Sequence, residues 1–172
     1  MKTYVMLLRG INVGGKNILP MKELTAILKQ LGCEQVKTYI QSGNVVFTSS
    51  ENPADKARHA IEGKYGFRPE ILVLDKKTLE KAAENNPFPA DEGKAVHFYF
   101  AFARPKPDAG KLANLAAGTE QFEIKDLVFY LYAPDGIGRS KLAAKVEACL
   151  GVSVTARNLN TVTKLLELAG SL

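Results

Sequence analysis

The chain has 172 residues, 46% of them hydrophobic, with 23 Lys and Arg against 18 Asp and Glu. That composition excludes a disordered chain and fits one ordinary domain or two small ones in contact. No apolar run reaches the roughly 20 residues that span a bilayer, and the net charge of +5 is scattered along the chain, so it favours anionic partners only mildly.

The opening stretch Tyr4 to Leu8 is uninterruptedly apolar, as in a strand buried on both faces. It ends at Arg9 and runs into a loop punctuated by Gly10, Gly14 and Gly15, which can take backbone angles closed to other residues. Too short for a signal peptide and ended by a cation, the run leaves the cytoplasm as the expected compartment. Pro20 and Met21 begin a helix, with Leu24, Ile27, Leu28 and Leu31 on one face and Gly32 as its stop. Val36 to Ile40 and Val45 to Thr48 flank the turn Gln41-Ser42-Gly43-Asn44 and predict a β-hairpin. Asn52, as N-cap, and Pro53 open a second helix to Tyr65, Ile71 to Leu74 is a short strand, and a helix covers Lys77 to Asn85 before Asn86-Pro87-Phe88-Pro89.

The order then repeats. Val96 to Phe102 is a strand with Val96, Phe98, Phe100 and Phe102 on one face and His97 and Tyr99 on the other. Pro107-Asp108 begins a helix reaching Gly118, and Phe122 to Ile124 with Leu127 to Tyr132 form a second hairpin. Gly136 to Ser140 leads into a helix carrying Leu142, Val146, Cys149 and Leu150 and closed by Gly151. Val152 to Ala156 is the last strand, and Asn160 or Thr161 is the expected cap of a terminal helix with Val162, Leu165, Leu166 and Ala169. Cys33 and Cys149 both close apolar helical patterns, the setting of buried free thiols.

Strand, helix, hairpin, helix, strand therefore occurs twice, the order of a ferredoxin-like β-α-β-β-α-β unit. The fold class is α+β, with two such units packed together plus a connecting helix and a C-terminal helix. Residues 1–76 form the first unit, 77–95 the connecting helix and proline-rich linker, and 96–172 the second unit with its terminal helix.

In such a unit the first two strands are parallel and the third runs back between them, so the loop after the first strand and the hairpin turn share one end of the sheet. This gathers Arg9, Asn12, Lys16 and Asn17 with Gln41, Ser42 and Asn44. In the second half it gathers Arg139, Ser140 and Lys141 with Arg157 and Asn158. Both edges collect cations and amides and almost no carboxylates. Arg offers a fork to phosphate or carboxylate, Lys a point charge, and Asn and Gln read donors and acceptors together. The helix beginning near Ser140 adds amides at a positive dipole end. The competing account is structural, with Asn as a turn-former and Ser140 as an N-cap.

Other motifs fare worse. Gly10-x-x-x-x-Gly15-Lys16-Asn17 lacks the Ser or Thr with which a nucleotide-binding P-loop holds magnesium, and Pro20 obstructs the helix that should follow. Two distant histidines and two helix-face cysteines make no metal-ligand spacing, and no cofactor is implied. His97 and His59 are best accounted for as packed or solvated side chains. The Phe98, Phe100, Phe102 stripe lacks the surrounding basic and glycine positions of an RNA-binding sheet and is expected to be core.

Leu7-Leu8-Arg9-Gly10-Ile11-Asn12-Val13-Gly14-Gly15-Lys16-Asn17, Thr38 to Phe47, Asn86-Pro87-Phe88 and Thr155-Ala156-Arg157-Asn158 resemble the bacterial family catalogued as domain of unknown function 1697. The resemblance covers essentially the whole chain. It implies an α+β protein built from ferredoxin-like units and a stand-alone cytosolic chain, and it carries no established activity. The family usually shows Trp after Arg-Asn, where this chain has Leu159. The resemblance strengthens Arg9, Asn12, Lys16, Gln41, Ser42 and Asn44 as a unit.

The functional expectation is a site for a phosphate-bearing small molecule or nucleotide-like anion. Arg9 and Lys16 would supply charge, Asn12, Asn17, Gln41, Ser42 and Asn44 polar contacts, and Arg139, Ser140, Lys141, Arg157 and Asn158 a second contact. An enzyme on these residues would work by electrostatic stabilisation without an evident general base. The alternatives are nucleic-acid binding along a basic edge, which falls steeply with salt, and a structural module presenting an apolar patch. No membrane partner is expected, and the oligomeric state stays open.

Overall fold

A computed structural model describes residues 1–172 as eight strands and six helices, beginning with β1 (Lys2–Arg9), α1 (Met21–Gln30), β2 (Glu34–Tyr39), β3 (Asn44–Ser49), α2 (Ala54–Tyr65), β4 (Glu70–Asp75) and α3 (Lys76–Glu84). β5 (Val96–Ala101), α4 (Ala109–Leu115), β6 (Gln121–Lys125), β7 (Val128–Tyr132), α5 (Lys141–Leu150), β8 (Val154–Asn158) and α6 (Leu159–Gly170) complete the chain. By internal contacts it divides into residues 1–81 with 164–172, and residues 82–163. No helix is long and apolar enough to cross a membrane.

The first unit holds a sheet of order β2-β3-β1-β4 with every neighbouring pair antiparallel. β1 and β2 are therefore parallel with β3 between them, the arrangement of a ferredoxin-like unit. β1 is buried on both faces, with Val5, Met6, Leu7 and Leu8 at 1% exposure or less. Met6 and Leu8 join Val45, Phe47 and Ile71 under Leu24, Ile27 and Leu28 of α1 and Ala57 and Ile61 of α2. α2 starts one residue later than expected, with Pro53 rather than Asn52 at its N-cap, and Asn52 makes an Asx-type turn before it, its Oδ1 accepting from the Ala54 amide at 2.9 Å. β2 is an edge strand broken by a bulge at Gln35, whose φ is +52°, a device that discourages pairing with foreign strands.

The second unit repeats the plan in the order β6-β7-β5-β8, again fully antiparallel. Its two helices pack on the face carrying Tyr99, Ala101, Phe129 and Leu131, through Leu112 of α4 and Leu142, Val146, Cys149 and Leu150 of α5. The Phe stripe lies on the opposite face, where Phe98 is fully buried, Phe100 is 3% exposed, and Phe98 meets the Tyr130 ring edge-on at 4.9 Å. Core is therefore correct for the stripe, but the helices cover the other side of the sheet. The Tyr130 hydroxyl donates to the Ala82 carbonyl at 2.6 Å, and burial pushes its pKa up to about 12. The Asn86-Pro87-Phe88 motif closes an Asx turn on itself, and the Phe88 ring stacks on Tyr132 at 5.7 Å. Cys33 and Cys149 are free and buried.

The end of the chain departs from the sequence reading. β8 runs over Val154–Asn158, two residues later than the apolar letters suggest, so Arg157 and Asn158 belong to the strand. The cap of α6 is neither Asn160 nor Thr161. Asn158 Oδ1 accepts from the Thr161 amide at 3.0 Å. Asn158→Ala is accordingly expected to cost about 1 kcal/mol in urea unfolding, whereas Asn160→Ala should leave stability within about 0.5 kcal/mol. Equal effects at the two positions would refute this cap.

Candidate functional site

The loop after β1 is a small finger. Lys16 donates its backbone amide to the Val13 carbonyl at 3.0 Å and Asn12 donates to the Asn17 carbonyl at 3.1 Å. Gly14 and Gly15 between them have φ of +58° and +73°, the signature of a type I′ hairpin turn, which a Gly-Gly pair fills without strain. The segment that spells most of a P-loop is thus a tight two-stranded ribbon with no helix behind it.

The finger is bolted at its base by amide side chains. Asn12 Nδ2 donates to the Leu19 carbonyl at 2.9 Å and to the Gln41 carbonyl at 2.7 Å, and its Oδ1 accepts from the Leu19 amide at 2.8 Å. Asn17 Nδ2 donates to the Gly10 carbonyl at 2.9 Å. Within the β2–β3 turn, fully buried Asn44 donates to the Tyr39 carbonyl at 3.1 Å and to Ser42 Oγ at 3.0 Å. Leu8 donates its amide to the Gly43 carbonyl at 2.9 Å, so the turn is tied directly to β1. Gly43 has φ +92°, and a Cβ there would lie 2.8 Å from Leu8 Cβ and 2.9 Å from Ile11 Cδ1.

The structure therefore brings the loop after β1 and the β2–β3 turn onto one surface. The hydrogen-bonding capacity of Asn12, Asn17 and Asn44 is directed at the fold itself. What faces outward is Lys16, exposed and without an ion-pair partner, together with exposed Gln41 and Ser42. Arg9 is half-buried and sits opposite Glu70 on β4, with Nη1 to Oε1 at 3.6 Å, so part of its charge is already matched. Between Arg9 and Lys22, and between Gln35 and Ser50, there is no Asp or Glu.

Three further residues on this surface escaped the sequence reading. Val13, Ile18 and Ile40 are 67%, 53% and 52% exposed, three of the six large apolar side chains left open in the chain. Each is next to a residue in the Asn12 hydrogen-bond cluster: Asn12 itself, Leu19 and Gln41. Ile40 also has φ +51°, a conformation costing a β-branched residue about 1–2 kcal/mol. The available signal was a run of aliphatics inside a glycine-rich loop, where polar residues belong.

The second cluster does not assemble as one face. Ser140 is the N-cap of α5, its Oγ accepting from the Ala143 amide at 3.0 Å, and Asn158 is the α6 cap. Arg139 and Lys141 are exposed beside the start of α5. Arg157 is opposite Phe98 in the β5–β8 register and so shares the face of the Phe stripe, whereas α5 packs on the face of Tyr99. Its Nη1 donates to Thr155 Oγ1 at 2.9 Å and to the Ala156 carbonyl at 2.7 Å, and burial pushes its pKa down to about 10.

His97 is 8% exposed, with Nε2 buried and unbonded. Burial holds its pKa below 6.5, against a smaller opposing effect of a hydrogen bond to the Lys94 backbone. Below about pH 6.5 the unfolded chain takes up a proton that the folded chain resists, so stability is full above that pH and falls beneath it. The expected slope is at most about 1.4 kcal/mol per pH unit. Urea unfolding between pH 7.5 and 5.5 should show this slope in the wild type and not in His97→Gln, and a slope surviving in the variant would assign it elsewhere.

Two antiparallel four-stranded sheets, each ordered 2-3-1-4 with helices against one face, define an α+β protein of two ferredoxin-like units. The chain belongs to the family described as "Protein of unknown function (DUF1697)", whose model matches residues 1–130 and so includes the finger and the first hairpin. It is similar to the conserved bacterial protein SP0830 from Streptococcus pneumoniae, with 25% identity, 98% of each chain covered and a TM-score of 0.70. No curated protein matches.

Proposed function

We propose that the finger and the β2–β3 turn together form a binding site for a phosphate-bearing small molecule. Lys16 supplies the charge, and the Gly14 and Gly15 amides, which make no backbone hydrogen bond, donate to phosphate oxygens. Gln41 and Ser42 contact the rest of the ligand. Arg9, restrained by Glu70, adds a second positive charge at the base of the site, and Arg139 with Lys141 forms a separate, secondary anion contact. The observation that carries this reading is the bond from Asn12 Nδ2 to the Gln41 carbonyl. It fuses two carboxylate-free loops, distant in sequence, into a surface already ordered before a ligand arrives, which lowers the entropic cost of binding.

The site holds an anion, and no residue in it is assigned a catalytic role. Its test is a thermal-shift series of inorganic phosphate, sugar phosphates and nucleotides, at two salt concentrations, on wild type and Lys16→Ala. A ligand at about 100 times its Kd should stabilise by about 2.7 kcal/mol. Stabilisation of the wild type that Lys16→Ala loses supports the site. No shift with any of these anions, or an equal shift in both proteins, rejects it.

A further inference from the structure

Resting on that reading of the finger, we infer that its ligand is a nucleotide, held by phosphate at Lys16 and by its base on Val13, Ile18 and Ile40. A bare phosphate or a sugar phosphate would leave these aliphatic side chains facing water. All three are absent from the core beneath α1 and α2.

Ile40 carries most of the argument. Its position has φ +51°, where Asn or Gly is the ordinary occupant, and its side chain is 52% exposed. The chain thus holds a β-branched residue where backbone geometry disfavours it and where partial burial returns little stabilisation. Backbone strain of this kind gathers at ligand-binding positions. Asn12 ties together the segments that carry the three aliphatics, because the sequence neighbours of Val13, Ile18 and Ile40 are the three residues that meet in its hydrogen bonds. Beside them stands Lys16 as the cation of the finger tip, with no carboxylate in either loop. Exposed aliphatic side chains on tied segments, beside one unmatched cation, fit a planar, weakly polar ring attached to a phosphate. A track for a nucleic-acid backbone would need cations repeated along it, and the tip offers one. No aromatic ring is exposed there for successive bases to stack on.

The test is titration of the full chain with AMP, GMP, UMP, ribose 5-phosphate and inorganic phosphate, followed by amide chemical shifts in the finger. The proteins are wild type, Ile40→Asn, Ile18→Ser and Lys16→Ala. The nucleotides are expected to bind at least tenfold more tightly than ribose 5-phosphate. Ile40→Asn and Ile18→Ser should remove that margin and leave phosphate affinity unchanged. Ile40→Asn should keep or raise the melting temperature, because Asn suits the left-handed backbone, so its loss of affinity cannot be ascribed to misfolding. Ribose 5-phosphate binding as tightly as the nucleotides, or an undiminished margin in both aliphatic variants, overturns the nucleotide assignment and leaves the phosphate site standing. Absence of Lys16-dependent binding by every anion overturns both. Binding confined to oligonucleotides, and falling steeply with salt, also overturns it in favour of a nucleic-acid surface.

Discussion

Gly43→Ala is expected to be among the most destabilising conservative changes in the first unit, at about 3 kcal/mol. Two penalties add at this position. With φ at +92°, any side chain is held in a conformation that L residues avoid. The new methyl would also lie 2.8 Å from Leu8 Cβ, an atom fixed to the backbone of β1 that cannot rotate away. Ile11 Cδ1 at 2.9 Å is the end of a flexible chain and can yield, but Leu8 can be relieved only by moving the turn off β1. That movement breaks the bond from the Leu8 amide to the Gly43 carbonyl. For a chain of this size the melting temperature should fall by roughly 6–12 °C. Urea unfolding followed by circular dichroism measures the free energy directly. A loss smaller than about 0.5 kcal/mol would show that the turn is not seated on β1 in this way.

Asn12→Ala should be nearly as costly, for a different reason. One amide side chain makes three hydrogen bonds, two to the backbone of Leu19 and one to the Gln41 carbonyl. Removing it strands the amide and carbonyl of a fully buried residue, at about 1 kcal/mol per lost bond and about 3 kcal/mol in all. The backbone supplies an internal control. Asn12 has φ +54°, so Asn12→Gly loses the same hydrogen bonds yet relieves the strain that alanine would suffer. Glycine should therefore be the milder replacement by about 1 kcal/mol. If alanine and glycine are equal, or both resemble the wild type, the side chain is not what holds the finger. Asn17→Ala, which loses a single bond to the Gly10 carbonyl, serves as a smaller reference at about 1 kcal/mol.

The architecture could be read from the letters because its punctuation is strong. Gly32 and Gly151 end helices, the Asn52-Pro53 pair leads into one, and the Gly43-Asn44 pair closes a hairpin, so the doubled β-α-β-β-α-β order followed without any long-range information. The boundary of β8 was misread for a local reason. Val152 looks like the start of a strand, and Arg157-Asn158 look like its end. In the fold one of those two side chains lies against a buried sheet face, and the other turns to cap the next helix.

The juxtaposition of the finger and the first turn was also legible, since it follows from topology. What the amides do there was not. An asparagine in a loop is spelled the same whether it contacts a ligand or ties two segments together. The difference depends on residues 12, 19 and 41 meeting in space. The pairing of Arg9 with Glu70 likewise depends on the register of β4, which no local pattern encodes. The exposure of Ile40 was hidden because an isoleucine at the end of a strand is ordinarily taken as core.

The bonds that hold the finger also set when it can exist. Asn12 finds its partners at Leu19 and Gln41, and β1 is locked by an amide that reaches Gly43. On a ribosome, the opening segment would leave the exit tunnel before the residue 41 partner has emerged behind it. Until the first hairpin docks, the Gly-Gly tip has no reason to hold its ribbon shape, and the surface around Lys16 is not yet a surface. Closing a loop between residues 12 and 41 must be achieved against chain entropy before its hydrogen bonds form. Assembly of this face thus waits on docking of the first hairpin against β1, and a chain truncated before β3 would not display it.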